Sequence, residues 1–282
     1  MRRPEMPTVE SMERAATAGD VKAEERVQEK VDSAVRFSHL RAYGKTGMNG
    51  HHARLHDSEQ TGAMQRGSAV HAIVFGTRRV VAYPGATRRG KEYDAFAAAN
   101  LDAEILTAAE YAKAQRMADA VRESKLAAPM LEGIAEETIL FRWMGLNCRA
   151  TPDVRGKTHL TELKTSASAD PMRFPWHALR MAYHAQMAMQ QIACAKGNHR
   201  ADFDCYIVCV EATEPHPVSV FRIDEKALEA GEKLLVLWAE RLKQCEASNV
   251  YPAYSDAIVP IILPETDDAG LIFPNEETPD AN

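Results

Sequence analysis

The chain has 282 residues, 45% of them hydrophobic and 26% charged, with 15 Gly and 14 Pro. That is globular composition, long enough for one large domain or two small ones, and it excludes collagen-like, mucin-like and wholly disordered chains. The net charge of −6 argues at first against a polyanionic partner, but the six acids of residues 264–282 account for all of it, so a local basic groove on a neutral body stays open.

No stretch approaches the roughly 18–20 apolar residues of a membrane helix. Met1-Arg2-Arg3-Pro4-Glu5 is followed by polar sequence, so no secretory signal is readable. The cysteines (Cys148, Cys194, Cys205, Cys209, Cys245) are odd in number and lack CxxC spacing. A disulfide framework and a zinc ribbon are therefore not expected, and a reducing cytoplasm is the natural setting.

Residues 1–30 are polar and Ala/Glu-rich and read as a flexible arm, residues 31–263 as one domain, and residues 264–282 as an acidic, disordered tail. The stretch Gln65 to Gly76 predicts a helix burying Ala69, Val70, Ile73 and Val74. Basic turns follow at Arg78-Arg79 and Arg88-Arg89-Gly90-Lys91. Thr107 to Ala127 predicts an amphipathic helix with Thr107 as its N-cap. Beyond Gly133, the runs Thr138 to Trp143, Asn147 to Val154 and His159 to Lys164 read as an antiparallel meander. Phe174-Pro175-Trp176 leads into a long helix ending at Lys196-Gly197. Strands at Phe203 to Val210 and Val218 to Ile223 follow. Asp224 then opens a helix carrying Leu228, Leu235, Trp238, Leu242 and Cys245 inward. The expected fold is α/β, a central mixed sheet flanked by helices with an N-terminal helical elaboration.

The chemistry concentrates in Thr151-Pro152-Asp153 and Thr161-Glu162-Leu163-Lys164. Strand periodicity puts Glu162 and Lys164 on one face and Leu163 in the core, and hairpin pairing can set Asp153 beside Glu162. Two adjacent carboxylates repel and raise each other's pKa, and a hard divalent cation resolves that conflict. Lys164 would then orient or help deprotonate a nucleophilic water and offset charge on phosphorus. The same spacing also suits a surface hairpin with a cross-strand ion pair, and acid-x-Lys recurs at Asp20, Glu123 and Asp224 on helical or terminal sequence.

Pro152-Asp153 with Glu162-x-Lys164 resembles the signature of the PD-(D/E)xK nucleases. Four further elements resemble their RecE-like (exodeoxyribonuclease VIII) and RecB-type branch: Phe37-Ser38-His39-Leu40, Gly67-Ser68-Ala69-Val70-His71-Ala72, Tyr183-His184-Ala185-Gln186-Met187-Ala188, and Tyr251-Pro252-Ala253-Tyr254. The resemblance spans about residues 37–260 in the branch's own order and implies a restriction-endonuclease-like core.

It also implies that His71, Asp153, Glu162 and the Leu163 carbonyl hold Mg²⁺ or Mn²⁺ in a two-metal site, with Lys164 as the catalytic lysine. Tyr183 and Gln186 would line the site. Gln190 continues their helical stripe where the branch usually has Tyr. The resemblance places an acid near the metals or the DNA end just before the strands, Glu136 in preference to Glu137. Arg149, Arg155, Arg173 and Arg180 are expected DNA contacts, in a wider set with Arg78, Arg79, Arg88, Arg89, Lys91 and Lys157. Trp176 is expected in the core, with stacking on a DNA end as its other use. Some RecB-type relatives bind an iron–sulfur cluster, but the cysteines here lack that spacing and no cluster is expected.

The resulting expectation is a metal-dependent exonuclease that resects linear double-stranded DNA 5′-to-3′, leaving a 3′ single strand for phage-type recombination. The branch forms homo-oligomeric rings and works beside RecT-type single-strand annealing proteins, so both are implied partners. A structure-specific or adaptation-type endonuclease and a non-catalytic DNA-binding scaffold are the alternatives.

Overall fold

The computed structural model describes residues 33–56, 61–197 and 199–261. The expected N-terminal arm and acidic tail lie outside the described residues. In chain order the elements are α1 (Phe37–Lys45), α2 (Gly47–Leu55), α3 (Gly62–Phe75), β1 (Arg79–Tyr83), α4 (Lys91–Ala98), β2 (Ala103–Thr107) and α5 (Ala108–Glu123). After a 3-10 turn (Ala128–Leu131) come β3 (Ile134–Ala135), β4 (Ile139–Trp143), β5 (Leu146–Ala150), β6 (Val154–Arg155) and β7 (His159–Ser166). The chain closes with α6 (Phe174–Arg180), α7 (Tyr183–Lys196), β8 (Asp204–Glu211), β9 (Val218–Ile223) and α8 (Glu225–Ser248).

A five-stranded sheet of order β3-β6-β7-β8-β9 forms the centre. It is mixed: β7 and β8 run parallel, and the other neighbours are antiparallel. A parallel pair needs a crossover, which α6 and α7 supply. Because helices cover both faces, β8 reads as a continuous apolar run, with Cys205, Ile207, Val208, Cys209 and Val210 all fully buried. One face of the sheet, through Leu163, Val208 and Val210, packs on Ala69 and Val70 of α3 and on Ala114, Met117 and Val121 of α5. The other face, through Leu160 and Cys205, packs on Ala185, Met189 and Ala193 of α7 and on Leu235 of α8. Helices α7 and α8 touch backbone to backbone: a Cβ on Gly231 would stand 2.6 Å from the His184 carbonyl oxygen.

The local signals act as their chemistry requires. Thr107 caps α5 in a capping box with Glu110, and Asp224 caps α8 through the Ala227 N–H at 2.7 Å. Three expectations fail for identifiable reasons. The meander is divided: β4 and β5 form a separate hairpin closed by Met144 and Gly145, both with positive φ (50° and 83°). The chain breaks at Thr151–Asp153, where Pro152 has no N–H to continue a ladder. The long helix is in fact two, because Ala182 adopts the left-handed conformation (φ 56°, ψ 39°) between them. A non-glycine residue there costs about 1–2 kcal/mol, so no local signal announces it. The basic turns instead flank a small parallel pair, β1 with β2, in which Arg79 is a strand residue, while Lys91 opens α4. Among the described residues no helix is long and apolar enough to cross a membrane.

Candidate active site

Asp153 directly precedes β6, and since Val154 pairs with Thr161 it sits opposite Glu162. Its position is fixed from two sides. Its Oδ2 accepts the Leu163 N–H at 2.7 Å, and its carbonyl accepts the Glu136 N–H at 3.1 Å. His71 arrives from α3, which comes close to β7 because residue 67 is glycine: a Cβ there would stand 3.1 Å from Thr165 Oγ1. One turn later, His71 Nε2 donates to the Leu163 carbonyl at 2.7 Å, and Nδ1 lies 3.5 Å from Asp153 Oδ2. The expected set of His71, Asp153, Glu162, Leu163 and Lys164 is therefore one cluster.

Glu162 is 2% exposed and fully engaged. Its Oε2 accepts Lys164 Nζ at 2.5 Å and Gln186 Nε2 at 2.8 Å, while Oε1 accepts Gln190 Nε2. Lys164 Nζ also lies 5.0 Å from the centre of the Tyr183 ring. Tyr183, Gln186 and Gln190 thus form one stripe of α7 facing β7, as i, i+3, i+7 spacing requires. The break at Ala182 is what starts α7 at Tyr183.

Burial first, then the Asp153 carboxylate, raises the pKa of Glu162 against the opposing pull of Lys164 and Gln190. Burial pushes Asp153 up as well, but His71, Lys164 and the Leu163 N–H outweigh it and hold its carboxyl below the usual range. For His71, burial disfavours the imidazolium, yet Asp153 overrides it and raises the pKa. Burial also opposes the Lys164 charge, but Glu162 and Asp153 raise its pKa, so it stands as the ammonium at neutral pH. Burial raises the pKa of Tyr183.

Among the described residues no three His, Cys, Asp or Glu side chains already converge in a metal-holding geometry. The cause is local: Glu162 turns both oxygens to Lys164 and the two amides, and His71 Nε2 is occupied by the Leu163 carbonyl. The donor chemistry nevertheless fits a hard divalent ion, with two carboxylates, a carbonyl and an imidazole around one point of β7. The strained acidity of Glu162 beside Asp153 is what such a cation relieves. Gln190 Oε1 is buried without a hydrogen-bond partner, an acceptor beside Glu162 that can take a water.

The expected DNA contacts divide. Arg155 is tied to Glu137 at 2.5 Å with 16% of its side chain exposed, while Glu136 touches the site through its N–H, which donates to the Asp153 carbonyl. Arg88 is held by Glu110 and the Ile105 carbonyl, and Arg79 by Asp102 and Asn100. Arg149 is half-buried on β5. Arg173 and Arg180 are exposed, Arg173 with a 3.9 Å contact to Asp170. Trp176, expected in the core, is 74% exposed. No motif singles out Arg41, whose guanidinium donates to Met181 Sδ at 3.3 Å and whose charge reaches Tyr183. Of the two outer motifs, Ser38 is exposed on α1, and Tyr251 stacks on His51 with centroids 3.8 Å apart. Cys205 and Cys209 are buried in β8.

Residues 33–261 match the family described as a PDDEXK-like domain of unknown function, DUF3799. A crystal structure from Eubacterium rectale, of a protein provisionally named an exonuclease, has the same fold with a TM-score of 0.63. It is 15% identical, over 84% of this chain and 92% of that one. A second solved structure, of the protein SSO0001, is 18% identical over 38% of this chain and 50% of that one, but its TM-score of 0.21 carries no argument. No curated protein matches the sequence.

Proposed function

Because the chain belongs to the PDDEXK-like family DUF3799, and so to the PD-(D/E)xK nuclease superfamily, we propose that it is a metal-dependent exonuclease acting on the ends of linear double-stranded DNA. The observation that carries this reading is the junction on β7, where Asp153 is locked to the Leu163 N–H and Lys164 is held as an ammonium between Glu162 and Tyr183.

Asp153, Glu162, the Leu163 carbonyl and His71 are the residues that would hold Mg²⁺ or Mn²⁺. Bound there, the ion supplies a Lewis acid for a phosphoryl oxygen and lowers the pKa of the attacking water. Lys164 offsets charge developing on the phosphorus, and the Tyr183 ring limits where its ammonium can point. Gln186 and Gln190 hold the Glu162 carboxylate until it turns to the ion. The family resemblance extends the reading to 5′-to-3′ resection that leaves a 3′ single strand, to a ring of subunits around the duplex, to a RecT-type annealing partner, and to a cytoplasmic phage or prophage setting.

The test is digestion of end-labelled linear duplex and covalently closed circles with Mg²⁺, Mn²⁺ or EDTA, by wild type and Lys164→Ala. Metal-dependent loss of the linear form alone, abolished by the substitution, is expected, and the released label gives the polarity. Cutting of circles would make the protein an endonuclease. DNA binding without cleavage under any metal would make it a scaffold.

A further inference from the structure

Helix α6 presents an unusual face to solvent. An indole is ordinarily largely buried, yet Trp176 is 74% exposed, with Leu179 58% and Met172 80% exposed beside it. The helix is not a frayed segment: Phe174, on its inner side, is 1% exposed and stacks on Phe221 of β9 with centroids 4.6 Å apart. Trp176 is therefore held outward from a fixed base. Arg173 and Arg180 lie three residues before and four after it, so all three share one helical face. Both arginines are exposed, and the nearest acid to Arg173 is Asp170 at 3.9 Å.

We propose that α6 is a stacking platform for single-stranded DNA, on which Trp176 takes an unpaired base while Arg173 and Arg180 hold the flanking phosphates. An aromatic ring between cations is the chemistry that binds a single strand without regard to sequence, since every base has a π-face and every linkage a charge. The two exposed arginines beside the ring complement the phosphates of a single strand, and a second copy of the chain is the occupant the experiment below separates from it.

The platform also adjoins the site. His177 meets Tyr183 edge-on with centroids 5.9 Å apart, and Tyr183 is the ring beneath Lys164. On the sheet, Glu162 pairs with Ile207 and Ile207 with Phe221, so the Phe221 row lies two strand spacings, roughly 10 Å, from Glu162. Between that row and α6 runs a groove of about 420 Å³ walled by Trp176, Leu179, Phe221, Ile223 and Ala227. Asp224 and Arg222 also line it, one Asp224 oxygen accepting the Ala227 N–H that caps α8. Through His177 and Tyr183, α6 is thus a neighbour of the cluster that holds Lys164.

The proposal rests on the nuclease reading for the polymer but is tested without cleavage. Oligothymidylate is titrated into the full chain in EDTA while tryptophan fluorescence and affinity are followed. Wild type is expected to bind with quenching and Trp176→Phe to keep its affinity within about twofold, whereas Trp176→Ala weakens binding roughly tenfold. Arg173→Gln and Arg180→Gln should each flatten the salt dependence. Unchanged affinity in Trp176→Ala, or no binding by wild type, overturns the platform. So does a Trp176→Ala variant that changes only the sedimenting mass, which would give the face to a second copy. If the platform behaves as expected while wild type cleaves no DNA with metal, the nuclease reading falls and the platform stands.

Discussion

His71 Nε2 lies 2.7 Å from the carbonyl oxygen of Leu163, and the N–H of the same leucine donates to Asp153 at 2.7 Å. One strand residue thus joins a helix to the turn before β6, and both partners are candidate metal ligands. A metal held through His71 Nε2 would displace the first of these bonds, and one held through Nδ1, which faces Asp153, would leave it.

It follows that Mg²⁺ or Mn²⁺ raises the melting temperature of the chelated protein. An ion at a hundred times its Kd adds about 2.7 kcal/mol, which for a domain of this size is roughly 5–10 °C. Asp153→Asn should remove the shift with both ions. His71→Gln should keep the Mg²⁺ response and lose any preference for Mn²⁺, since the nitrogen donor is what favours Mn²⁺. Differential scanning fluorimetry with and without EDTA checks this.

Without metal, the His71–Asp153 contact makes stability depend on pH. Asp153 titrates below its ordinary 3.8, so its contribution is present above that value and fades as pH falls through the folded pKa. His71 titrates above its ordinary 6.5, so its contribution is complete below 6.5 and fades as pH rises through the folded pKa. The stability difference between wild type and His71→Gln in EDTA should therefore be greatest between the two ordinary values. Urea unfolding at several pH values measures it, and a difference that grows toward pH 9 would contradict the pairing.

Gln190→Leu removes the donor on Glu162 Oε1, a bond that lowers the pKa of that carboxyl. Leaving a buried acceptor short costs about 1–3 kcal/mol. Cleavage should fall about tenfold, and the acidic limb of the pH–rate profile should move to higher pH. A merely structural role would lower the rate without moving the limb.

Gly67→Ala would place a Cβ 3.1 Å from Thr165 Oγ1, so either that hydroxyl or α3 gives by a few tenths of an ångström. The helix propensity gained, about 1 kcal/mol, is expected to be offset by this contact, with weaker metal binding where α3 carries His71 away. Thr165→Ala removes the opposing hydroxyl, so the double variant should show most of that gain and recover metal binding. A double-mutant cycle on melting and metal titration reads the coupling directly.

Much of the site is legible in the chain because it lies on one strand and one helix. Period two sets Glu162 with Lys164 and turns Leu163 to the core, and period 3.6 aligns Tyr183, Gln186 and Gln190. His71 is legible only through the resemblance of Gly67 to Ala72 to the branch's motif, and the close approach at Gly67 appears only in the structure. The Arg155–Glu137 ion pair is less legible, because it depends on where β6 places Arg155.

What the sequence determined by itself is therefore periodic: which residues share a face, where caps start helices, and which carboxylates can meet across a turn. The tertiary structure alone decided what covers each face. The left-handed Ala182 that splits α6 from α7, the Arg155–Glu137 pair and the outward Trp176 are not announced by any local signal. Local propensity is worth only tenths of a kcal/mol per residue, whereas packing a side chain against a distant element is worth a few. Where the two compete, packing decides the conformation.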